Sequence, residues 1–433
     1  MSDLIIHGAR PLAGRIEPSA NKNAVLPVLA ATLLTDQPLA LAGVPDITDV
    51  RKLLAFFREL GSHASFDAAA GVLELQHAAP AFDVRVHRLP AAMRASTLLV
   101  PALLARFGAA RIEPDVQGCT LGAREIDPHL EVFQRFGARI ERDGEAWVVQ
   151  ARRPLQGADH WPDHASVTAT ENFVLCATTA RGTSTLTNAA CEPHVQEFCR
   201  FMQRMGARID GIGTSRLTVH GVDALRGAAW RFAEDFHEVA TFLALGAITG
   251  GDVQVRNTAP ELWPLLDRTF AKFGVFTLHE HGWSRAVVEG RLRVREPLTR
   301  HLLQKVEAAP WPYVPADLLP IFIALGVRAE GQTLFWNKVY DGALGWVSEL
   351  AKFGAQAFQS DPHRVVTFGG RPLQPASVTS PYIIRVAIAL LMVAAGIEGR
   401  STIRSADPIR RAHPRFAENL ALLGANVAWR EVA

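Results

Sequence analysis

One pattern recurs along this chain and restricts what it can fold into. An amphipathic helical stretch runs into a bulky apolar residue, then glycine, then a short alternating strand, at Leu60-Gly61, Phe136-Gly137, Met205-Gly206, Phe273-Gly274, Phe353-Gly354 and Leu423-Gly424. The glycines are 76, 69, 68, 80 and 70 residues apart. Glycine at this place ends a helix in the left-handed conformation and releases the chain into a strand. Each unit carries a second helix, apolar on nearly every side, at 24–34, 96–106, 172–180, 239–249, 318–327 and 385–395. A helix without a polar face must be packed all round. The expected unit is buried helix, strand, loop, amphipathic helix, glycine, strand. Six units of about 70 residues account for most of the 433 and divide into two α/β domains of three units each, with the buried helices at their centres.

Composition narrows the function classes. Apolar residues are 48% and charged residues 20%, as in globular proteins, and the formal net charge is only +2. Overall basicity of the kind that grips nucleic acid or a membrane surface is therefore missing. The longest apolar run, 386–397, is too short to cross a bilayer, and no signal peptide is visible at the start. Four cysteines without CxxC spacing suit a reducing, cytoplasmic location. No P-loop, dinucleotide fingerprint, nucleophile elbow or zinc-protease motif occurs, and the histidines show no metal-ligand spacing. No cofactor or metal is expected.

The buried helices begin with unusual residues. Lys22, Arg94 and Arg385 stand at three of the six N-terminal ends, where a cation opposes the helix dipole. Unpaired N–H groups plus cations make an anion-binding centre. The segment 115–124, with Gly118, Cys119, Gly122 and Arg124, reads as a mobile loop whose cysteine can act as acid or nucleophile. Cys176 and Cys199 read instead as small buried hydrophobes. Arg404, Arg410, Arg411 and Arg415 are dense enough to imply an anionic partner.

Asn21-Lys22-Asn23-Ala24, Met93-Arg94-Ala95-Ser96, Gly118 to Arg124 and Pro315-Ala316-Asp317 resemble the enolpyruvyl transferase family over essentially the whole chain. The resemblance is closer to the branch acting on UDP-N-acetylglucosamine than to the shikimate branch. It implies two inside-out α/β barrel domains, residues 22–233 and residues 1–21 with 234–433, and an active site in the cleft between them. The implied reaction moves the enolpyruvyl group of phosphoenolpyruvate (PEP) to a hydroxyl of a uridine nucleotide, through a tetrahedral ketal, with release of phosphate. The acceptor is UDP-N-acetylglucosamine, as in peptidoglycan synthesis, or a divergent one such as UMP, as in nucleoside-antibiotic synthesis. The alternative is a nucleotide-binding paralogue without turnover.

The resemblance also implies roles. Cys119 matches the proton donor to C3 of PEP, and Asp317 the carboxylate that serves the acceptor hydroxyl. Lys22, Arg124, Arg385 and Arg411 match the cations that hold PEP, and Arg94 stands with them at a helix N-terminus. Arg124, Glu125, Ile126, Asp127 and Pro128 match the uridine-binding segment. His164, Ser166 and Val167 fall where the diphosphate is held, Asn23 and Asp317 meet the sugar, and Val339 lines its pocket. Four family positions differ. Ala343 replaces an arginine that clamps PEP, Ile383 an aspartate, and His164 a lysine; Asp235-Phe236-His237-Glu238 stands for Asp-Arg-Ile-Glu. One lost charge-assisted contact costs about 1.5–3 kcal/mol; Arg410 and Lys338 are the neighbouring cations expected to compensate.

Overall fold

A computed structural model describes residues 2–114, 125–299 and 301–431, with Arg411 and Ala412 described only in their backbone. All six apolar helices form. They span Lys22–Thr32, Leu99–Phe107, Val167–Thr179, Phe236–Thr249, Leu319–Arg328 and Ile384–Ala395. The last is buried at every residue, as an all-round apolar surface requires. The second and fifth open with 3-10 turns, Arg94–Leu98 and Ala316–Leu318. The third starts earlier than its apolar run at 172–180 because the polar residues before and within that run are buried with partners. Thr170 Oγ1 accepts from the Ala190 N–H at 2.9 Å, and the Asn172 amide lies 2.9 Å from His129 Nδ1.

The six helix-ending glycines all adopt positive φ, between +74° and +108°, where a β-carbon would be strained. Five of them lead into a hairpin rather than one strand, and the sixth, Gly424, into the strand Asn426–Glu431, which pairs with Ser2–Gly8. Arg208–Asp210 and Arg216–His220, for example, pair antiparallel. Gly211 and Gly213 between them have φ of +81° and +84°; both strands are too short for their alternation to separate in sequence. The complete unit is strand, buried helix, parallel strand, second helix, hairpin, and its four strands make one sheet. Among the described residues, five sheets have four strands and one, holding Ala109–Ile112, has three.

Strands distant in sequence complete sheets begun elsewhere. Ser2–Gly8 lies between Gly399–Arg404 and Asn426–Glu431, antiparallel to both. Gly14–Ile16 pairs parallel with Val253–Arg256, and Ala229–Arg231 with Leu39–Ala42. The described residues form two compact units, one of residues 2–19 and 233–431, the other of residues 20–114 and 125–232. Each has three sheets outside and three apolar helices inside, so the fold is a pair of inside-out α/β barrels. In the first, Phe322 packs edge-on against Phe270 at 5.2 Å and stacks on Phe273 at 6.3 Å. No helix among the described residues is long and apolar enough to cross a membrane.

The N-terminal strand carries Leu4 and Ile6 into the core of the 233–431 unit, both almost fully buried. Ile6→Ala is expected to destabilise the protein by about 2–5 kcal/mol, read as a lower urea midpoint at unchanged m-value.

Candidate active site

In the 20–232 unit, Lys22 is the first residue of its helix and Asn21 its cap, accepting from the Asn23 N–H at 2.9 Å. Lys22 Nζ lies 3.4 Å from Asp49 Oδ2, a buried carboxylate in the first turn of the Thr48–Glu59 helix. That anion offsets the repulsion between the ammonium and the helix dipole. Asn23 stays half-buried beside it.

Arg94 does not present its guanidinium only to an outside anion. Its Nη2 donates to the Glu125 carbonyl at 2.8 Å and lies 3.4 Å from His129 Nε2. This joins Arg94 to the segment Glu125, Ile126, Asp127, Pro128, which leads into the Asp127–Arg135 helix. His129 Nε2 also lies 3.3 Å from Thr168 Oγ1, so the beginnings of two buried helices meet through this ring. Burial, reinforced by Arg94, pushes the His129 imidazole down to about 3, and it is neutral at pH 7. Ser166 caps the Val167–Thr179 helix, its hydroxyl accepting from the Ala169 N–H at 3.4 Å. Val167 is half-buried and His164 exposed.

Cys119 and Arg124 lie outside the described residues, so the chemistry read for the 115–124 loop has no geometry here. Cys176, Cys191 and Cys199 are buried. Burial raises all three thiols, Cys191 to about 11 and Cys199 to about 12. None is a thiolate at neutral pH.

In the other unit, Asp317 sits half-buried in the 3-10 turn that opens the Leu319–Arg328 helix. Val339 is 37% exposed. Asn337 Oδ1 accepts from the Val339 and Tyr340 N–H groups at 2.9 and 3.1 Å and shapes that loop. Arg411 lies in the short Pro408–Ala412 helix. Arg385 is buried among charged neighbours rather than open to solvent. Its Nη2 donates to Asp235 Oδ2 at 3.4 Å and its Nη1 meets His413 Nε2 at 2.5 Å. His413 Nδ1 donates to Glu238 Oε2 at 3.0 Å, and the same oxygen accepts from the Ser19 N–H at 3.1 Å. Asp235 Oδ1 caps the Phe236–Thr249 helix, accepting from the His237 N–H and Nδ1, both at 2.9 Å. Burial alone raises the Asp235 carboxyl, but the charge and hydrogen bond of His237 and the charge of Arg385 overcome it and hold it well below the usual carboxylate range.

The two cations expected to compensate for the lost family contacts are engaged elsewhere. Arg410 pairs with Glu431 at 3.2 Å and stacks 4.1 Å over Trp429. Lys338 Nζ lies 2.6 Å from Glu307 and 4.3 Å from the Trp336 ring. Arg415 likewise pairs with Glu418, at 3.4 Å. Carboxylates of the same unit thus account for two of the four arginines whose density implied an anionic ligand. Phe236 and Ile383 are both buried in the core of their unit. Their replacement of an arginine and an aspartate removes one charge of each sign from the unit.

Helices ringed by sheets in two three-unit barrels, with cations and carboxylates at the helix beginnings, define a scaffold suited to handling anions. The chain belongs to the EPSP synthase (3-phosphoshikimate 1-carboxyvinyltransferase) family, whose model matches residues 6–420, and is an enolpyruvyl transferase. It is 34% identical over 440 residues to a UDP-N-acetylglucosamine 1-carboxyvinyltransferase of Treponema denticola, covering 100% of both chains. A Bradyrhizobium diazoefficiens protein of the same name is 35% identical over 430 residues, covering 98% of this chain and 97% of its own. In fold it is similar to the enolpyruvyl transferase NikO from Streptomyces tendae, with TM-score 0.87, 23% identity and coverage of 100% and 99%.

Nothing in the sequence pattern marks His237, Glu238 and His413 as members of one cluster. His413 and Glu238 are 175 residues apart, and no local motif joins them. Asp235→Asn removes the charge that balances Arg385 and is expected to cost about 3–5 kcal/mol at pH 7. Because the folded carboxyl is depressed, its contribution is complete above about pH 4 and fades as pH falls toward the folded value. Urea unfolding from pH 7 to pH 3 checks both points: the variant is less stable at pH 7 and loses less on acidification.

Proposed function

We propose that this enzyme transfers the enolpyruvyl group of PEP to a hydroxyl of a uridine nucleotide, with UDP-N-acetylglucosamine the first candidate. The observation that carries this reading is end-to-end identity of 34% with a relative of that name, together with Lys22, Asn23, Cys119, Arg124 and Asp317 at the matching motif positions. Residues 22–233 act as one domain and residues 1–21 with 234–433 as the other, both serving the same pair of substrates.

The roles follow from the charge that must be handled. PEP brings a phosphate and a carboxylate, and Lys22, Arg124, Arg385 and Arg411 supply the cationic donors that hold them. The acceptor oxygen bonds to C2 of PEP, Asp317 orienting the hydroxyl and receiving its proton, while Cys119 protonates C3. The tetrahedral ketal then loses phosphate and a C3 proton to regenerate the enol double bond. Glu125, Ile126, Asp127 and Pro128 contact the uridine, His164, Ser166 and Val167 the phosphates, and Asn23 and Val339 the sugar side.

His164, an imidazole where the family holds a diphosphate with lysine, favours a second reading in which the acceptor is a smaller nucleotide such as UMP. Ala343 and Ile383 favour a nucleotide-binding paralogue without turnover. Phosphate release from PEP separates the three. Release with UDP-N-acetylglucosamine supports the first reading, faster release with UMP the second, and nucleotide binding without release the third. Cys119→Ala is expected to lower turnover at least 100-fold, the lower range for a general acid, with the melting temperature unchanged. An unchanged rate removes Cys119 from the mechanism.

A further inference from the structure

We infer that His413 is a positioning residue for PEP, holding Arg385 in the orientation that grips it, with Glu238 behind it. The inference rests on the transferase reading and deepens it. An arginine guanidinium has five N–H donors and no acceptor. His413 Nε2, 2.5 Å from Arg385 Nη1, therefore accepts, and the ring carries its proton on Nδ1, where Glu238 Oε2 receives it at 3.0 Å. The sequence of contacts is Glu238 to His413 to Arg385, closed on the other side by Asp235 Oδ2 at 3.4 Å from Nη2.

All the members are buried: His413 1%, Glu238 1%, Asp235 3% and Arg385 8% exposed. Glu238 Oε1 has no hydrogen-bond partner among the described residues, so one oxygen alone carries His413 and Ser19. In a site this dry, hydrogen bonds to charged groups are strong and their directions are enforced. Two of the Arg385 nitrogens are thus tied down, and its remaining N–H groups are aimed by that constraint.

Such a device matters here for a local reason. Ile383, at the N-cap of the Ile384–Ala395 helix, makes no side-chain cap bond. The arginine two residues later stands at the positive end of the dipole without an aspartate on its own helix. Its counter-charge arrives instead from the Phe236–Thr249 helix through Asp235, and from Glu238 through the imidazole.

Three variants test this, read by steady-state kinetics and by calorimetric titration of PEP with and without UDP-N-acetylglucosamine. His413→Phe deletes the acceptor and is expected to raise the KM and Kd for PEP at least tenfold, leaving the nucleotide KM within twofold. His413→Gln offers one amide oxygen to Arg385 and one amide N–H to Glu238, and is expected to return PEP affinity to within threefold of the parent. Glu238→Gln is expected to weaken PEP binding by less than His413→Phe.

A merely structural role would lower the melting temperature of His413→Phe without separating the two substrates. PEP affinity unmoved in folded His413→Phe, or equal loss in the Phe and Gln variants, overturns the inference. If the parent enzyme binds PEP but transfers it to no uridine nucleotide, the transferase reading fails while the titrations still decide on His413. If the parent binds no PEP under either condition, the inference is overturned too.

Discussion

Everything in this molecule depends on six helices that have no polar side. A helix such as Ile384–Ala395, buried at all its residues, cannot lie on a surface, so sheets must enclose it. Three such helices per unit leave no space inside for a sheet, which is why the sheets form the outer wall. The wall closes because strands distant in sequence return to it. Ser2–Gly8 fills the inner place between two strands from near the far end of the sequence.

Enclosure of the helix bodies concentrates polarity at their ends. Cations at Lys22 and Arg385 face the positive end of a helix dipole, an arrangement unfavourable by itself. In both cases a buried carboxylate from another helix restores the balance, Asp49 for Lys22 and Asp235 for Arg385. The charge at these ends is therefore held rather than free. Such preorganised donors suit a small, highly charged enol ester, because they need not rearrange as charge moves during transfer.

The departures from the family pattern sort by the same physics. Phe236 and Ile383 remove opposite charges and join the core. At Ala343 the lost arginine has no counterpart in Arg410 or Lys338, which are held by Glu431 and Glu307. Charge balance is kept around Arg385 by Asp235.

Local periodicity was enough to locate every buried helix and every helix-ending glycine, because an all-apolar stretch and a left-handed stop are properties of neighbouring residues. Motif matches placed Lys22, Arg94, Asp317 and Arg385 at helix beginnings for the same reason. The hairpins were hidden, since strands as short as Arg208–Asp210 carry too few alternations to separate from their turns. The return of the first strand to the later unit was implied by the family resemblance and not by periodicity; hidden altogether were the contacts of Asp235, Glu238, Arg385 and His413. Those depend on which helix ends are brought together by packing, and a pairing between residues 150 or 175 positions apart leaves no trace in the local pattern of either partner.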